Sequence, residues 1–404
     1  MGAHIMDQVA ASPSQDRSQF RRLFYNKEVR SVFFQIVTVL CVCALIAYIG
    51  MNMLTNLEAV GKELSFNFLN APAGYDITFQ PFVSYSPTET HLRAAMVGLS
   101  NTLLVAVTGI ILATVMGFTL GVMRLSRNFL ISRLSQAFID FTRNVPVLLH
   151  IFFIYGVVIN VLPKPKQAEG LADSFFLTNR GLYAPKPIFE EGSSLVLAAL
   201  IVAIAASVFI QRWAKARQIA TGQIFPVFWT SVGLVIGLPV VAFLIAGMPI
   251  SFDFPELKGF NFKGGFILRP EYLALWFALS YYTSCFIAEI VRGGILAIHK
   301  GQREASLALG VTPNRTLQLV IIPQAMPLII PPLASNYLNL TKNSSLAIAI
   351  GYYDIVATLG GISLMQTGKE VETMFLVLAC YLVLSLIISG SMNFLNSRLQ
   401  LKSR

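Results

Sequence analysis

The sequence predicts an all-α membrane protein of about eight transmembrane helices. Three observations carry that prediction. Of 404 residues, 55% are hydrophobic and only 12% are charged, about half the charged share of a soluble chain. The apolar residues gather into eight runs, of a length suited to a bilayer core of about 30 Å. Most of the remaining charge lies in the segments between those runs. A net charge of +10 spread over such short segments gives no nucleic-acid surface.

In chain order, residues 1–19 are polar and lack the apolar core of a signal peptide. Arg21, Arg22, Lys27 and Arg30 precede the first run, 31–51. Residues 52–91 carry Pro72, Gly74, Pro81 and Pro87 and read as an external loop. The second run, 92–123, contains Gly117-x-x-x-Gly121, a spacing that lets two helices approach closely. Packing within the chain is its expected use. Arg124, Arg127 and Arg133 follow. The third run, 137–162, has Asp140 and Arg143 at its start. A second external loop spans 163–192. Runs four and five, 194–210 and 226–247, are joined by a basic turn with Arg212, Lys215 and Arg217. A third external loop, 248–270, leads to the sixth run, 271–298. A polar knob, 301–325, comes next. The seventh run covers 329–356, and Lys369 and Glu370 mark a polar turn before the eighth, 372–394. The expected segments are therefore 1–30, a first span and loop at 31–91, a transmembrane domain at 92–394, and a tail at 395–404.

Eight spans put both chain ends on one side. On that side lie nineteen of the thirty Lys and Arg residues; the other side holds ten, and Lys342 falls inside the seventh run. The richer side is expected to be cytoplasmic.

The knob reads as two short helices and a corner. Residues 302–309 are good helix formers, and Gly310 stands where a left-handed cap belongs. Thr312 is placed to cap a second helix with Pro313 at its first position, and Pro323 is expected to end it. A structured polar knob between two spans is a candidate docking element.

Its residues resemble the cytoplasmic coupling loop of ABC-transporter permeases. That family's pattern is Glu-Ala-Ala, three residues, Gly, nine residues, Ile, one residue, Leu-Pro. Here it reads Glu304-Ala305-Ser306, Gly310 and Val320-Ile321-Ile322-Pro323. Further stretches are similar to the polar amino acid branch, the histidine- and glutamine-type systems. They are Gly98-Leu99-Ser100-Asn101-Thr102-Leu103, Arg124-Leu125-Ser126-Arg127-Asn128 and Asp140-Phe141-Thr142-Arg143-Asn144-Val145-Pro146. Ala288-Glu289-Ile290-Val291-Arg292-Gly293-Gly294-Ile295 and Lys342-Asn343-Ser344-Ser345-Leu346 complete the set. The two spans around 194–247 are an insertion that five-span members lack and that long permeases of general L-amino acid importers carry.

The resemblance implies a type I ABC importer fold with a cytoplasmic coupling helix. It implies a multi-pass permease of the bacterial inner membrane for polar or broad-range L-amino acids, working by alternating access. The implied partners are an ABC ATPase dimer, a second and homologous permease chain, and a periplasmic amino-acid-binding protein. Glu304, Ala305, Gly310 and Pro323 are the implied ATPase-coupling residues.

The residues themselves limit the chemistry. Gly61-Lys62 and Gly368-Lys369 both lack the glycine six positions before the lysine that a Walker A loop needs. ATP and Mg are therefore expected on a partner chain, with no cofactor here. Cys41, Cys43, Cys285 and Cys380 all lie in apolar runs, without a Cys-x-x-Cys or Cys/His cluster, so no disulfide framework or metal is expected. No catalytic constellation suggests an enzyme. The main rival is an ion-coupled secondary amino acid transporter or channel without an ATPase.

Two groups remain. Glu289 and Arg292, three apart on a helix, and Arg143 form a structural ion pair or a gate. Asn339, Lys342, Asn343, Ser344 and Ser345, beside Asn336, make the seventh run unusually polar. Polar groups inside a bilayer usually face protein or a water-filled cavity, so these five are candidates for a substrate path. The rival reading is hydrogen bonding between helices.

Overall fold

A computed structural model describes residues 27–172 and 174–399. The basic residues expected at the chain ends, in 1–26 and 400–404, lie outside the described residues. The chain divides between Phe68 and Leu69 into two compact units. The first contains helix α1, Lys27–Ala59. Its apolar side chains are exposed all round, the pattern of a helix surrounded by lipid.

The second unit holds the rest. Helix α2, His91–Arg124, starts at an N-cap, Thr90, whose hydroxyl accepts from the Arg93 N–H. Helix α3, Phe129–Asn144, is capped by Asn128 through the N–H groups of Leu130 and Ile131. Helix α4, Val147–Val161, follows after a bend of 106°. The expected third span is therefore broken. Pro146 begins α4, and Val145 before it is extended at φ −102°, ψ 134°, because a proline ring disfavours helical geometry in its predecessor. Seven described helices are long and apolar enough to cross a membrane, or eight if this bent pair counts as one.

The loops read as irregular contain β structure. Strands β1, Phe176–Thr178, β2, Gly181–Ala184, and β3, Lys186–Phe189, precede helix α5, Ser193–Thr221, and helix α6, Val227–Ile245. Strands β4, Ile250–Asp253, β5, Glu256–Lys258, β6, Asn261–Lys263, and β7, Phe266–Leu268, follow them. The strands pair antiparallel: β1 with β2, β2 with β7, β3 with β4, and β5 with β6. The two loops flanking the insertion thus close on each other. Phe176 and Tyr183 both meet the Phe262 ring at a tilt, with centroids 4.3 and 5.0 Å from it. Strands of three or four residues gave too little alternation to be read from sequence.

Helix α7, Pro270–Leu296, is the buried centre. It lies along α2 through small residues. A Cβ on Gly117 would stand 2.5 Å from Ile287 Cγ2, and one on Gly121 2.9 Å from the Ala288 carbonyl oxygen. The Gly117-x-x-x-Gly121 spacing therefore does pack within the chain.

Helix α8, Lys300–Ala308, and helix α9, Pro313–Thr316, form the knob. A π-helical turn, 317–321, leads into helix α10, Ile322–Asn343. The second knob helix does not end at Pro323. The π turn widens the hydrogen-bond spacing just before it, and Pro323 falls in the first turn of α10, where a missing N–H is tolerated. The seventh span accordingly starts far earlier than expected, as one run of Pro313–Ile350. A 3-10 turn, Ser344–Ile350, a π-helical stretch, Val356–Ser363, and short helix α11, Leu364–Thr367, connect to helix α12, Glu370–Leu399.

Candidate functional site

The candidate site is strung along α10, with the knob at one end and a buried turn at the other. At the knob, His299 caps α8 through Nδ1, which accepts from the Gly301 N–H at 3.1 Å. At its far end, Gly310 has φ +77°. Its N–H donates to the Leu307 carbonyl at 2.9 Å, and the Val311 N–H to the Ser306 carbonyl at 3.2 Å. These are the paired bonds of a glycine-terminated helix. Thr312 occupies the next N-cap, yet its side chain makes no capping bond. The Thr316 N–H donates instead to the Thr312 carbonyl at 2.8 Å. Buried Ser306 and Thr316 share a hydroxyl hydrogen bond of 2.9 Å that clamps the corner. This bond gives Ser306 a use that an alanine there would lack.

The tip of the clamped corner faces outward. Leu309 is 84% exposed, and Arg303, Glu304 and Ala305 are exposed beside it. Pro323 is exposed as well, on the start of α10. A cleft of about 900 Å³ lies behind the knob, lined among others by Arg127, Ile131, Lys300, Arg303, Glu304 and Leu317.

Near this end, Glu289 and Arg292 form the expected ion pair at 3.1 Å. Arg124 also pairs with Glu289 and stands 4.0 Å from Asp140. Arg143 does not join them; its guanidinium lies 5.1 Å over the Phe286 ring. Arg124 was noted in the sequence only as a flanking charge. Its position at the end of α2, where α7 passes, makes it the centre of the cluster.

At the opposite end, residues 351–354 run without regular structure against α2 and lead into the π-helical stretch. Non-helical backbone at membrane depth must find partners in the protein, and α2 supplies them. The Asn101 side-chain N–H₂ donates to the carbonyls of Phe79 at 3.1 Å and Tyr353 at 2.8 Å. Thr102 Oγ1 accepts from the Ile355 N–H at 3.1 Å, and the Tyr352 hydroxyl donates to the Asn101 carbonyl at 3.0 Å. Gly98 has no room for a Cβ, which would overlap Thr358 Oγ1. Fully buried Asp354 accepts from the Ala357 N–H at 2.8 Å and from the Tyr381 hydroxyl at 3.3 Å. Loop residue Tyr85 donates to the Tyr75 carbonyl at 2.8 Å. Burial pushes its phenol up to about 12, which keeps it a donor even in base that would ionise an ordinary phenol. Asn101, Thr102 and Asp354 were not singled out as site residues. An aspartate closing a long apolar run was the signal available.

Between these ends, Leu340 packs on Gly109, half-way along α2. Lys342 follows two residues on, nearer the end than the middle of the observed run Pro313–Ile350. Its side chain is exposed and makes no ion pair among the described residues. Leu328, Pro332, Ser335, Asn339 and Lys342 are all exposed and recur every three or four residues, so they share one stripe of α10. The other three candidates fall elsewhere. Ser344 is buried and donates to the Thr341 carbonyl at 2.8 Å. Ser345 donates to the Lys342 carbonyl at 2.8 Å, and Asn343 is half-buried. Asn343 and Ser344 follow Lys342 by one and two residues, which turns them onto other faces of the helix, and the 3-10 turn begins at Ser344.

Comparison with known proteins fits this layout. Residues 195–401 match the family of the binding-protein-dependent transport system inner membrane component. The chain is 47% identical to the general L-amino acid transport system permease AapQ of Rhizobium johnstonii, over 95% of this chain and 96% of that one. It is 42% identical to the glutamate/glutamine/aspartate/asparagine permease BztB of Rhodobacter capsulatus, over 98% and 100%. The glutamine permease GlnP of Escherichia coli is 27% identical, and 94% of its length matches only 53% of this chain. A spanning bundle, a capped knob between two spans and these full-length matches lead to one conclusion: the chain belongs to the family of binding-protein-dependent transport system inner membrane components.

Proposed function

We propose that this chain is the membrane-spanning permease of an ATP-driven ABC importer for L-amino acids, polar or broad in range. The observation that carries the coupling part of this reading is the knob, a rigid corner with an exposed leucine at its tip between two spans. It docks on a separate ATPase, which binds ATP and Mg. Closure of the ATPase pair moves the knob, and α10 carries that motion to the buried turn at its other end.

Both chain ends and the knob lie in the cytoplasm, as the lysine and arginine distribution supports. The β structure then faces the periplasm, where it offers a platform to an amino-acid-binding protein. The exposed stripe on α10 faces a second, homologous permease chain, and the two chains enclose the path. Lys342 and Asn339 line that path, where an ammonium group can meet a substrate carboxylate. A lone cation costs about 2.5–3.5 kcal/mol at the centre of a span on insertion scales, which favours a hydrated or paired setting for it. Glu289, with Arg124 and Arg292, ties the cytoplasmic ends of α2 and α7 together.

Gly310→Val tests the knob. A β-branched side chain at positive φ strains the corner. Membrane insertion is expected to survive, while co-purification of the ATPase and uptake of labelled L-amino acids collapse. Normal ATPase binding with normal uptake in this variant would remove the coupling assignment.

A further inference from the structure

The inserted hairpin, α5 and α6, is held unequally at its two ends. At the β end it is stapled. Strands β3 and β4 pair over four residues each, and Ser251 Oγ donates to Glu190 Oε1 at 2.7 Å. Along their length the two helices pack on each other, and their buried residues are only Ala203, Ser207, Ala214 and Ala242. The opposite end, 212–226, has no such staple.

That end has its own chemistry. Residues 193–211 are nineteen without a charge, about 28 Å of helix at 1.5 Å per residue. This nearly matches the hydrocarbon core, so Arg212 emerges at the headgroups. Arg212, Lys215 and Arg217 follow within six residues, and no Asp or Glu occurs anywhere in 192–252. All three cations are exposed. Arg217 lies 5.3 Å over the Trp213 ring and donates to Gln223 Oε1 at 2.6 Å. Trp213 meets Phe225 edge-on at 5.5 Å. Trp229, 74% exposed, stands one turn into α6. Gly222, at φ +72°, turns the chain back. Cations at the edge of the core, aromatic rings among them and the absence of acids fit the headgroup layer of an anionic leaflet.

We infer that the turn 212–226 binds anionic phospholipid headgroups and thereby fixes the free end of the inserted hairpin in the cytoplasmic leaflet. The leaflet rests on the orientation proposed above. The lipid is favoured over an acidic protein surface because the cations begin where the uncharged length matches the membrane core. They also fan around the helix, rather than forming one face.

The test uses the full chain in its purified complex, in phosphatidylcholine nanodiscs carrying spin-labelled phosphatidylglycerol. The native protein is expected to hold the anionic probe in preference to a labelled phosphatidylcholine. R212Q/K215Q/R217Q should lose that preference, by roughly fivefold in relative affinity for each charge removed. R212K/R217K, which keeps the charge, should retain it. An unchanged preference in the triple Gln variant would overturn the proposal. So would an unchanged preference combined with loss of ATPase co-purification in pure phosphatidylcholine, which would assign the cations to protein docking. A Thr221→Cys reporter checks the leaflet separately. Labelling only after the cells are opened supports it, and labelling from outside intact cells would overturn the orientation and with it the leaflet.

Discussion

The chain contains two Gly-x-x-x-Gly pairs in membrane helices, and they are used in opposite ways. Gly117 and Gly121 on α2 are closed over by α7, with Ile287, Ala288 and Val291 against them. Gly233 and Gly237 on α6 have open space where a Cβ would point. The spacing is the same and the consequence is not. What differs is the other surface. Helix α7 offers Ser284 and Ala288, small and fully buried, so two backbones can come together over many turns. Helix α5 touches α6 through another face and leaves both glycines outside the contact. A small-residue spacing permits close approach; a matching small surface opposite is what produces it.

The sharpest way to break the contrast is a large side chain on the closed pair. Gly117→Leu places a branched group on Ile287 and the Ser284 carbonyl. Such overpacking against backbone is expected to cost about 3 kcal/mol or more. The purified complex should melt earlier and transport should vanish. A normal melting curve would show that α2 and α7 are free to separate.

The polar contacts of α2 come next in size. Asn101 supports two carbonyls of the irregular backbone. Asn101→Leu keeps the volume near and removes both donors, at about 1–3 kcal/mol for each buried acceptor left unpaired. The turn 351–354 should then exchange its amide hydrogens faster, which hydrogen exchange with mass detection reads directly. Unchanged exchange there would mean that the turn is held by other contacts.

These cases mark what the sequence could and could not tell. The spans were legible because lipid imposes a length and an apolar composition on them. The knob was legible because a helix former run, Gly310 and Pro313 specify a corner locally. Nothing in the sequence distinguishes Arg124 from the other flanking cations, because it lies near Glu289 only through the packing of α2 on α7. The outer β strands were missed because each is short and is fixed by a partner as distant as Leu268 is from Leu182. Ser344 was grouped with Lys342 as a candidate for the substrate path by its polarity alone, and composition does not say that its side chain is buried and turned to the Thr341 carbonyl. Local chemistry was readable, whereas the neighbour supplied by the fold was not.

Lys342→Met asks whether the exposed charge on α10 matters for transport. The substitution keeps the length of the side chain and removes its charge. Since the ammonium makes no ion pair among the described residues, stability and assembly should hardly change. Uptake and substrate-stimulated ATP hydrolysis should fall together. Wild-type uptake from correctly assembled Lys342→Met complexes would leave the lysine without a part in the path.

The smallest effect is expected at the open pair. Gly237→Leu adds a side chain that meets nothing within 4 Å. It also removes a glycine from the middle of α6, worth roughly 0.5–1 kcal/mol in favour of the helix on soluble scales. Melting temperature and uptake should therefore stay near those of the parent protein, or rise slightly. This near-absence of effect is informative because the same substitution at Gly117 is expected to be ruinous. If Gly237→Leu lowered uptake or released the proposed second permease chain, the open face of α6 would be a protein contact. The hairpin would then be held by that chain along its length, and not only by its β staple and the lipid at its turn. Measuring Gly117→Leu and Gly237→Leu side by side, in the same membrane and with the same readouts, thus separates a helix packed against protein from one packed against lipid.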